Sequence, residues 1–582
     1  MVWLGFFSFL IFLALIIDFK KICTSYNKVK MAAIDTSFLT PYQNGILVEM
    51  RSKRRGGVHV PMGAGKTAMA IATCLENKAN DPTRNPGLVV VAKSLIPEWV
   101  KEIKKFFPDT PYHVLHKDSD KDYLNRDISS FSIILTTPET MQAHLKHYDL
   151  EAKIAVSTLR EQDLITYVNY PKHNEPLGRR VNKGPIFSTH FSTLIIDEGA
   201  KYLNPSTKRT RALIGVAAKS KWILSATLLS EPKPDNIFGY TLLIDDPNTP
   251  RNRPDFLTHM KGSNFRGIGH TLVKREKNED YIPEELGQTI NHEIVTNSFT
   301  KEEADFFLGI KSIIKQVYDR FKELKGTQLP EFKEELKLLR GMILGMISHL
   351  RQTLVCPLIP ITSMYLSMAE MSDRHDLVNS FTSELLKRNP GWLDDEESVY
   401  SSRLRKVVEL IERHPGERVV VFSAFRTTLD VLTHYIPENR PVFAIKGSQT
   451  LDKRHKCIQE WEESSDGVIL LTYEVGACGL NLQNGTVAIV MDYGWDMDVT
   501  KQAVGRIVRR GQSADTISVY YLTTNTGVEK AIYSLHQFKR DVGKQMEEGG
   551  KVDTIKKLKI SDMVELISME DNFEILNDLY TK

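Results

Sequence analysis

Three short stretches of this chain carry residue types whose spacing suits phosphate chemistry. The first, Pro61-Met62-Gly63-Ala64-Gly65-Lys66-Thr67, follows the run Gly-Gly-Val-His-Val at 56–60 and precedes Ala68-Met69-Ala70-Ile71-Ala72, which reads as helix. A short strand, a glycine loop and a helix N-terminus aim several backbone N–H groups and the positive end of the helix dipole at one phosphate chain. In such a loop Lys66 neutralises the β and γ oxygens and Thr67 holds Mg²⁺. Val60 stands where the GxxxxGK[ST] pattern has its first glycine, so on its own the stretch also suits an ordinary strand-to-helix turn.

The second stretch is Leu194-Ile195-Ile196-Asp197-Glu198, an apolar strand that delivers two acids at its carboxyl end, where open α/β sheets bind ligands. Asp197 is suited to hold the metal through its coordination shell, and Glu198 to orient or deprotonate an attacking water. Alone, Asp-Glu after a strand is an ordinary solvated turn. The third stretch, Gln502-Ala503-Val504-Gly505-Arg506-Ile507-Val508-Arg509-Arg510-Gly511-Gln512, puts Arg506 and Arg509 at i, i+3 on one helix face. Guanidinium forks aimed at a γ-phosphate stabilise transition-state charge. Alone, this is a salt-bridged surface helix; with the other two stretches it makes a nucleotide hydrolysis site split between two halves of the chain.

The elements that must position these groups are legible as short apolar runs. Leu88–Ala92, Ile133–Leu135, Leu194–Ile196 and Trp222–Leu224 form one set, and Val419–Phe422, Val468–Leu471, Ala488–Met491 and Ser518–Leu522 a second. Continuous Val, Ile and Leu bounded by turn residues predict parallel strands buried on both faces, hence two doubly wound α/β lobes. Between them Phe306, Phe307, Ile310, Ile313, Ile314, Val317, Phe321 and Leu324 recur at helical spacing, and 336–350 continues in that style, predicting core-facing helices that bridge the lobes. The expected organisation is an apolar segment at 1–30, lobe one at 31–245, a linker and helical insertion at 246–395, lobe two at 396–540 and a solvated helical tail at 541–582.

Composition narrows the function class without naming it. The 582 residues, 41% apolar and 26% charged, are those of a folded multi-domain chain, and 76 Lys plus Arg against 73 acids leave +3, so any nucleic-acid surface must be local. The five cysteines include no CxxC pair, which argues against a zinc module or a disulfide framework and for a reducing compartment. His455 and Cys457 lack the further ligands a metal site needs. Residues 2–17 are sixteen uncharged positions, followed by Lys20, Lys21, Lys28 and Lys30. That is just short of the roughly 18–20 that span a bilayer. The segment is either an anchor that leaves the bulk on the cytoplasmic side or an over-extended start ahead of Met31, and a secreted product is not expected. Arg51, Lys53, Arg54 and Arg55 form a basic run that reads as a solvated loop, with phosphate contact or a nuclear import signal as alternatives.

With these pieces in order, the chain resembles the superfamily-2 helicase-type ATPases, and within them the Swi/Snf-type double-stranded DNA translocases. Leu39-Thr40-Pro41-Tyr42-Gln43 looks like an adenine-reading glutamine motif, and MGAGKT resembles motif I. Leu88 to Trp99, with Lys93-Ser94-Leu95 and Trp99, is similar to motif Ia; Ile133 to Thr137, Asp197-Glu198 and Ser225-Ala226-Thr227 to motifs Ib, II and III. Lys274-Arg275, Ile282-Pro283 and Leu350-Arg351-Gln352 look like linker landmarks. Val419 to Ser423, Gly476 to Leu482 and QAVGRIVRRGQ resemble motifs IV, V and VI. Two positions depart from the pattern: Ala200 stands where a histidine usually follows Asp-Glu, and Ser-Ala-Thr is the motif III form more usual in RNA helicases.

The resemblance implies two RecA-like lobes of the P-loop type with a helical insertion, ATP and Mg²⁺ as cofactors, and nucleic acid as partner, double-stranded DNA first. It adds Gln43, Gly63, Ala64, Gly65, Gly479 and Gln502 to the nucleotide-binding set, and Lys93, Ser94, Thr136, Thr137 and Thr472 as phosphate-backbone contacts. A membrane enters only if 2–17 is an anchor. The implied activity is ATP-driven translocation that remodels protein–DNA complexes inside the cell, in transcription, replication or repair. The alternatives are a strand-separating helicase on single strands or RNA, and a nucleic-acid scaffold whose hydrolysis has decayed.

Overall fold

The computed structural model describes residues 34–61, 63–81, 83, 85–116, 128–144, 185–228, 233–261, 267–274, 289–327, 329–357, 359–361, 401–477, 480–495, 497–508, 512, 514–524, 526–548, 563–565 and 567. The apolar segment at 2–17, Met62, Ile282-Pro283, Gly479 and Arg509 lie outside them. No helix among the described residues is long and apolar enough to cross a membrane, and none of their His, Cys, Asp and Glu side chains group in threes to hold a metal ion.

The strands of lobe one are β1 (Arg55–His59), β2 (Gly87–Val90), β3 (Tyr112–Leu115), β4 (Ile133–Thr136), β5 (His190–Asp197), β6 (Ala217–Ser225) and β7 (Leu272–Lys274). They form a seven-stranded sheet in the order β3-β4-β2-β5-β6-β1-β7, every pair parallel. Lobe two contributes β8 (Thr289–Thr296), β9 (Val419–Ser423), β10 (Val442–Ile445), β11 (Val468–Thr472), β12 (Val487–Val490) and β13 (Thr516–Thr523). These make a six-stranded parallel sheet, β10-β11-β9-β12-β13-β8. The central strands β2, β4, β9 and β12 are buried along their whole length. Such strands need helices on both faces, and continuous apolar runs rather than alternating ones are the result.

The eight apolar runs and the short strand ahead of the glycine loop, β1, are all present, and β3, β7, β8 and β10 are additional. Their exposed or mixed faces explain the weaker signal: β8 is buried only at Val295 and β10 only at Ile445. The stretch 246–395, expected as linker and helical insertion, therefore also supplies an edge strand to each sheet, β7 beside β1 and β8 beside β13.

The two helices Lys301–Thr327 and Lys333–Thr353 carry the predicted stripe. Phe306, Phe307, Ile310, Ile313, Ile314, Val317 and Leu324 are buried in one core with the strands of lobe two, and Phe321 packs against it. Arg351, at the end of the second helix, is held between two aromatic rings of lobe two, 5.0 Å from the Phe425 centroid and 4.7 Å from that of Trp495. It also donates to the Tyr493 carbonyl at 2.7 Å. A buried guanidinium stacked in this way gains cation–π attraction in a poorly hydrated setting, which fastens the helical pair to lobe two.

Two expectations are corrected here. The basic run is no solvated loop: Arg51 pairs with Glu76, Lys53 donates to the carbonyls of His270 and Leu272, and Arg55 to that of Asp245. Carbonyls at strand and helix ends need donors, and long basic side chains satisfy them. Nor is 541–548 a solvated tail. It finishes the helix Gly527–Glu548, whose first turns bury Val528, Ala531 and Ile532 in the core of lobe two and whose last turns bury Val542 and Met546 in the core of lobe one. Glu547 closes the contact with an ion pair to Lys274 at 2.7 Å.

Candidate nucleotide site

The site begins with strand register. In the sheet of lobe one His59 lies opposite Ser225, and Leu224 opposite Asp197, so β1, β6 and β5 end at one level. The chain leaving β1 turns through Gly63 and Gly65, with φ of 76° and 78°, into the helix Lys66–Ala79. Gly65 is required twice over: its backbone is left-handed, and a Cβ there would sit 2.2 Å from Gln43 Nε2. Gln43 itself is 4% exposed and donates Nε2 to the Ala64 carbonyl at 3.0 Å, while its Oε1 accepts the Thr40 N–H at 3.0 Å. The second bond completes a capping box on the helix Pro41–Lys53, so one side chain ties the entry helix to the glycine loop.

A cleft of about 520 Å³ opens at this edge, lined by Gly63, Gly65, Lys66, Thr67, Asp197 and Glu198 from lobe one and by Arg506 from lobe two. Phe38, Gln43 and Phe106 line it too, and Phe38 stacks on Phe106 with ring centroids 4.9 Å apart. The Lys66 ammonium is folded back onto the loop, donating to the Pro61 carbonyl at 3.1 Å. Burial and the neighbouring Glu198 raise the Asp197 carboxyl to about 6, against the opposing pull of Trp99 and Lys66. The Asp197 and Glu198 carboxylates and the Thr67 hydroxyl are an oxygen-donor set suited to a divalent cation, and the Lys66 ammonium beside them is suited to a phosphate. Glu198 has a left-handed backbone, φ 47° and ψ 39°, a conformation that costs a non-glycine residue on the order of 1 kcal/mol and here sets its direction beside Asp197.

Lobe two approaches through the helix Met497–Val504 and the turn after it. Gln502 Nε2 donates to Thr227 Oγ1 at 3.0 Å, joining the QAVGR stretch to Ser-Ala-Thr across the lobes. Arg506 is 4% exposed. Of the residues expected to touch nucleic acid, Lys93 is exposed and Ser94 half-buried in the 3-10 turn Lys93–Leu95 that follows β2, and Thr472, half-buried, ends β11. Thr136 and Thr137 are corrected: they are 0% and 1% exposed, and the Thr137 hydroxyl accepts the Thr140 N–H at 3.1 Å as a helix cap. Neither presents surface to a ligand. Trp99, noted only as part of a motif, proves to be in the cleft wall, with its indole N–H 2.9 Å from Asp197 Oδ2.

Residues 46–353 match the model of the SNF2-related domain, and residues 402–511 that of the helicase conserved C-terminal domain. The chain belongs to the SNF2 family. It is thus an ATPase of the helicase type. Among relatives of this SNF2-family chain, a putative helicase, 172L, of Invertebrate iridescent virus 6 is 23% identical over 551 residues, covering 85% of either protein. The ISWI chromatin-remodeling complex ATPase ISW1 of Saccharomyces cerevisiae is 22% identical across 85% of the chain, which spans only 39% of that protein. The helicase domain of Pyrococcus furiosus Hef superposes with a TM-score of 0.50 at 13% identity over 85% of the chain, a likeness of fold.

Proposed function

We propose that this SNF2-family chain is an ATP-driven translocase on double-stranded DNA that remodels protein–DNA complexes. One observation carries the reading: Lys66, Thr67, Asp197 and Glu198 of one lobe and Arg506 of the other line a single cleft, so hydrolysis depends on how the lobes sit. Mg²⁺ would be held by Thr67 and Asp197 and would neutralise phosphate charge. The P-loop amides and Lys66 bind the β and γ phosphates, Glu198 orients the attacking water, and Arg506 meets charge that develops as the γ-phosphoryl group departs. Arg509 and Gly479 join this set on the family resemblance.

Lys93 and Ser94 of lobe one and Thr472 of lobe two are the proposed phosphate-backbone contacts, and contacts of this kind give little sequence preference and steep salt dependence. Closure on ATP and opening after hydrolysis change the spacing of the two grips, and alternating grip moves the motor along one strand of the duplex. The names of the relatives, a virus helicase and a chromatin-remodeling ATPase, support work inside the cell on protein-bearing DNA. A decayed scaffold is disfavoured because every described member of the hydrolytic set lines the cleft.

The test is ATP hydrolysis by the full chain at low salt with no nucleic acid, blunt duplex DNA, single-stranded DNA or RNA, beside Lys66→Ala. The expected outcome is stimulation chiefly by duplex and loss of turnover in Lys66→Ala with duplex binding retained. Stimulation chiefly by single strands or RNA replaces the reading with a strand-separating helicase, and equal turnover in the variant removes the site.

A further inference from the structure

The helix Ile96–Phe106 buries Trp99 and Ile103, one turn apart, on a single stripe against lobe one. Apolar packing accounts for Ile103 fully. It does not account for an indole, whose N–H is costly to bury without an acceptor. Trp99 is 1% exposed, and its Nε1 donates to Oδ2 of Asp197, itself 8% exposed, at 2.9 Å. The other carboxylate oxygen, Oδ1, accepts the Glu198 backbone N–H at 3.0 Å. Each oxygen of this acid is therefore held by one donor, and the carboxylate plane is set by the pair. The Glu198 amide comes with the backbone of the turn; the indole is a side chain brought from a different element, 98 residues away in sequence.

We infer that Trp99 is a positioning residue for the metal site: its indole N–H fixes the Asp197 carboxylate in the orientation that receives Mg²⁺ with the nucleotide. The inference rests on reading the cleft as a Mg²⁺–nucleotide site. Donors behind a metal-ligating group fix its rotamer, and removing such a donor costs on the order of 10-fold or more in metal affinity. Phenylalanine fills most of the same space without the donor. Trp222 supplies the control: it is equally buried in lobe one, at 1% exposed, and donates its indole N–H to Ser220 Oγ at 2.9 Å rather than to the acid.

The experiment measures binding of a fluorescent ADP analogue by the full chain, first in EDTA and then across a Mg²⁺ titration, for wild type, Trp99→Phe and Trp222→Phe. Thermal unfolding of each is recorded alongside. In wild type Mg²⁺ tightens binding; in Trp99→Phe the EDTA affinity is unchanged and the Mg²⁺ concentration for half-effect rises on the order of 10-fold. Trp222→Phe leaves the Mg²⁺ titration as in wild type. An unshifted titration in Trp99→Phe, or an equal shift in Trp222→Phe, overturns the inference while leaving the nucleotide site standing. Absence of any Mg²⁺ effect in wild type overturns the site and the inference together. Should Trp99→Phe not fold, the indole N–H resonances of ¹⁵N-tryptophan-labelled wild type decide. One of them shifts with Mg²⁺ and ADP but not with ADP in EDTA if the inference holds, and none does if it fails.

Discussion

Replacing Arg506 with glutamine isolates the contribution of lobe two to hydrolysis. The side chain is 4% exposed and lines the same cleft as Lys66, Asp197 and Glu198, so bulk water screens it poorly. A guanidinium about 4 Å from an oxygen that gains charge, at an effective dielectric of about 20, is worth about 4 kcal/mol. At roughly 1.4 kcal/mol per decade that is about 10³-fold in rate, the lower end of the ~10³–10⁵ associated with arginine fingers. The charge is met mainly in the transition state, so kcat falls by about 10³ while nucleotide affinity changes by less than about 10-fold. Arg506→Lys recovers only part, because an ammonium keeps the charge and lacks the planar fork. Steady-state hydrolysis with saturating duplex DNA, read beside a fluorescent-nucleotide titration, separates the two effects. A fall in kcat below about 10-fold, or an equal loss of binding and turnover, refutes the split site.

Three further outcomes follow from the geometry. Arg403, 0% exposed, donates to Glu529 at 2.8 Å, Asn297 at 3.1 Å and the Met491 carbonyl at 3.1 Å, so Arg403→Met strands a buried carboxylate. The expected cost is about 3–5 kcal/mol, seen by calorimetry as earlier melting of lobe two, and a loss under about 1 kcal/mol contradicts it. Burial and Glu198 raise the Asp197 carboxyl to about 6 in the nucleotide-free chain. Mg²⁺-dependent nucleotide binding therefore fails as pH drops through about 6 rather than about 4, and because a raised carboxyl loses stability as pH rises through that window, Asp197→Asn melts higher than wild type at about pH 7.5 but not at about pH 4. The Gln502–Thr227 bond is a neutral pair at 3.0 Å, worth about 0.5–1.5 kcal/mol. Gln502→Ala and Thr227→Val should each lower duplex-stimulated turnover by roughly 2- to 12-fold, with the double variant no worse than either; additive losses would show that the bond is not shared.

Much of this was legible because the signals were local and strongly patterned. Strands buried on both faces read as unbroken apolar runs, and Asp197 ends one of them, while Lys66 opens the helix after the glycine loop and Arg506 follows the helix Met497–Val504. Half-exposed edge strands such as β8, with Glu293 and His292 on open faces, carry no such run and went unread. The roles of long side chains were hidden for a different reason. Arg51, Lys53 and Arg55 look like a solvated charge cluster until the fold brings up Glu76 for Arg51 and, from 190 or more residues later in the chain, the carbonyls of His270, Leu272 and Asp245 for the other two. Thr136 and Thr137 match a motif by type, yet the pleat and a helix cap turn them inward. Val542 and Met546, an apolar pair at i, i+4 within the stretch expected as a solvated tail, are the local signal of its buried face.

The sizes of the ties between the lobes bear on how such a motor moves. At the cleft a neutral hydrogen bond between described residues, Gln502 to Thr227, spans the lobes and is worth about 0.5–1.5 kcal/mol. The helix Gly527–Glu548 makes the larger contact: Val542 at 4% and Met546 at 0% exposed are worth roughly 1.5–3 kcal/mol each when fully buried, before the Glu547–Lys274 pair is counted. Breaking that hydrogen bond therefore costs less than release of the helix. In the ground state Arg506 adds less than about 1.4 kcal/mol to nucleotide binding, a tie of the same order as the cleft hydrogen bond, and its larger effect is kept for the transition state. Ties of this size are weak enough for each cycle of hydrolysis to reopen the cleft.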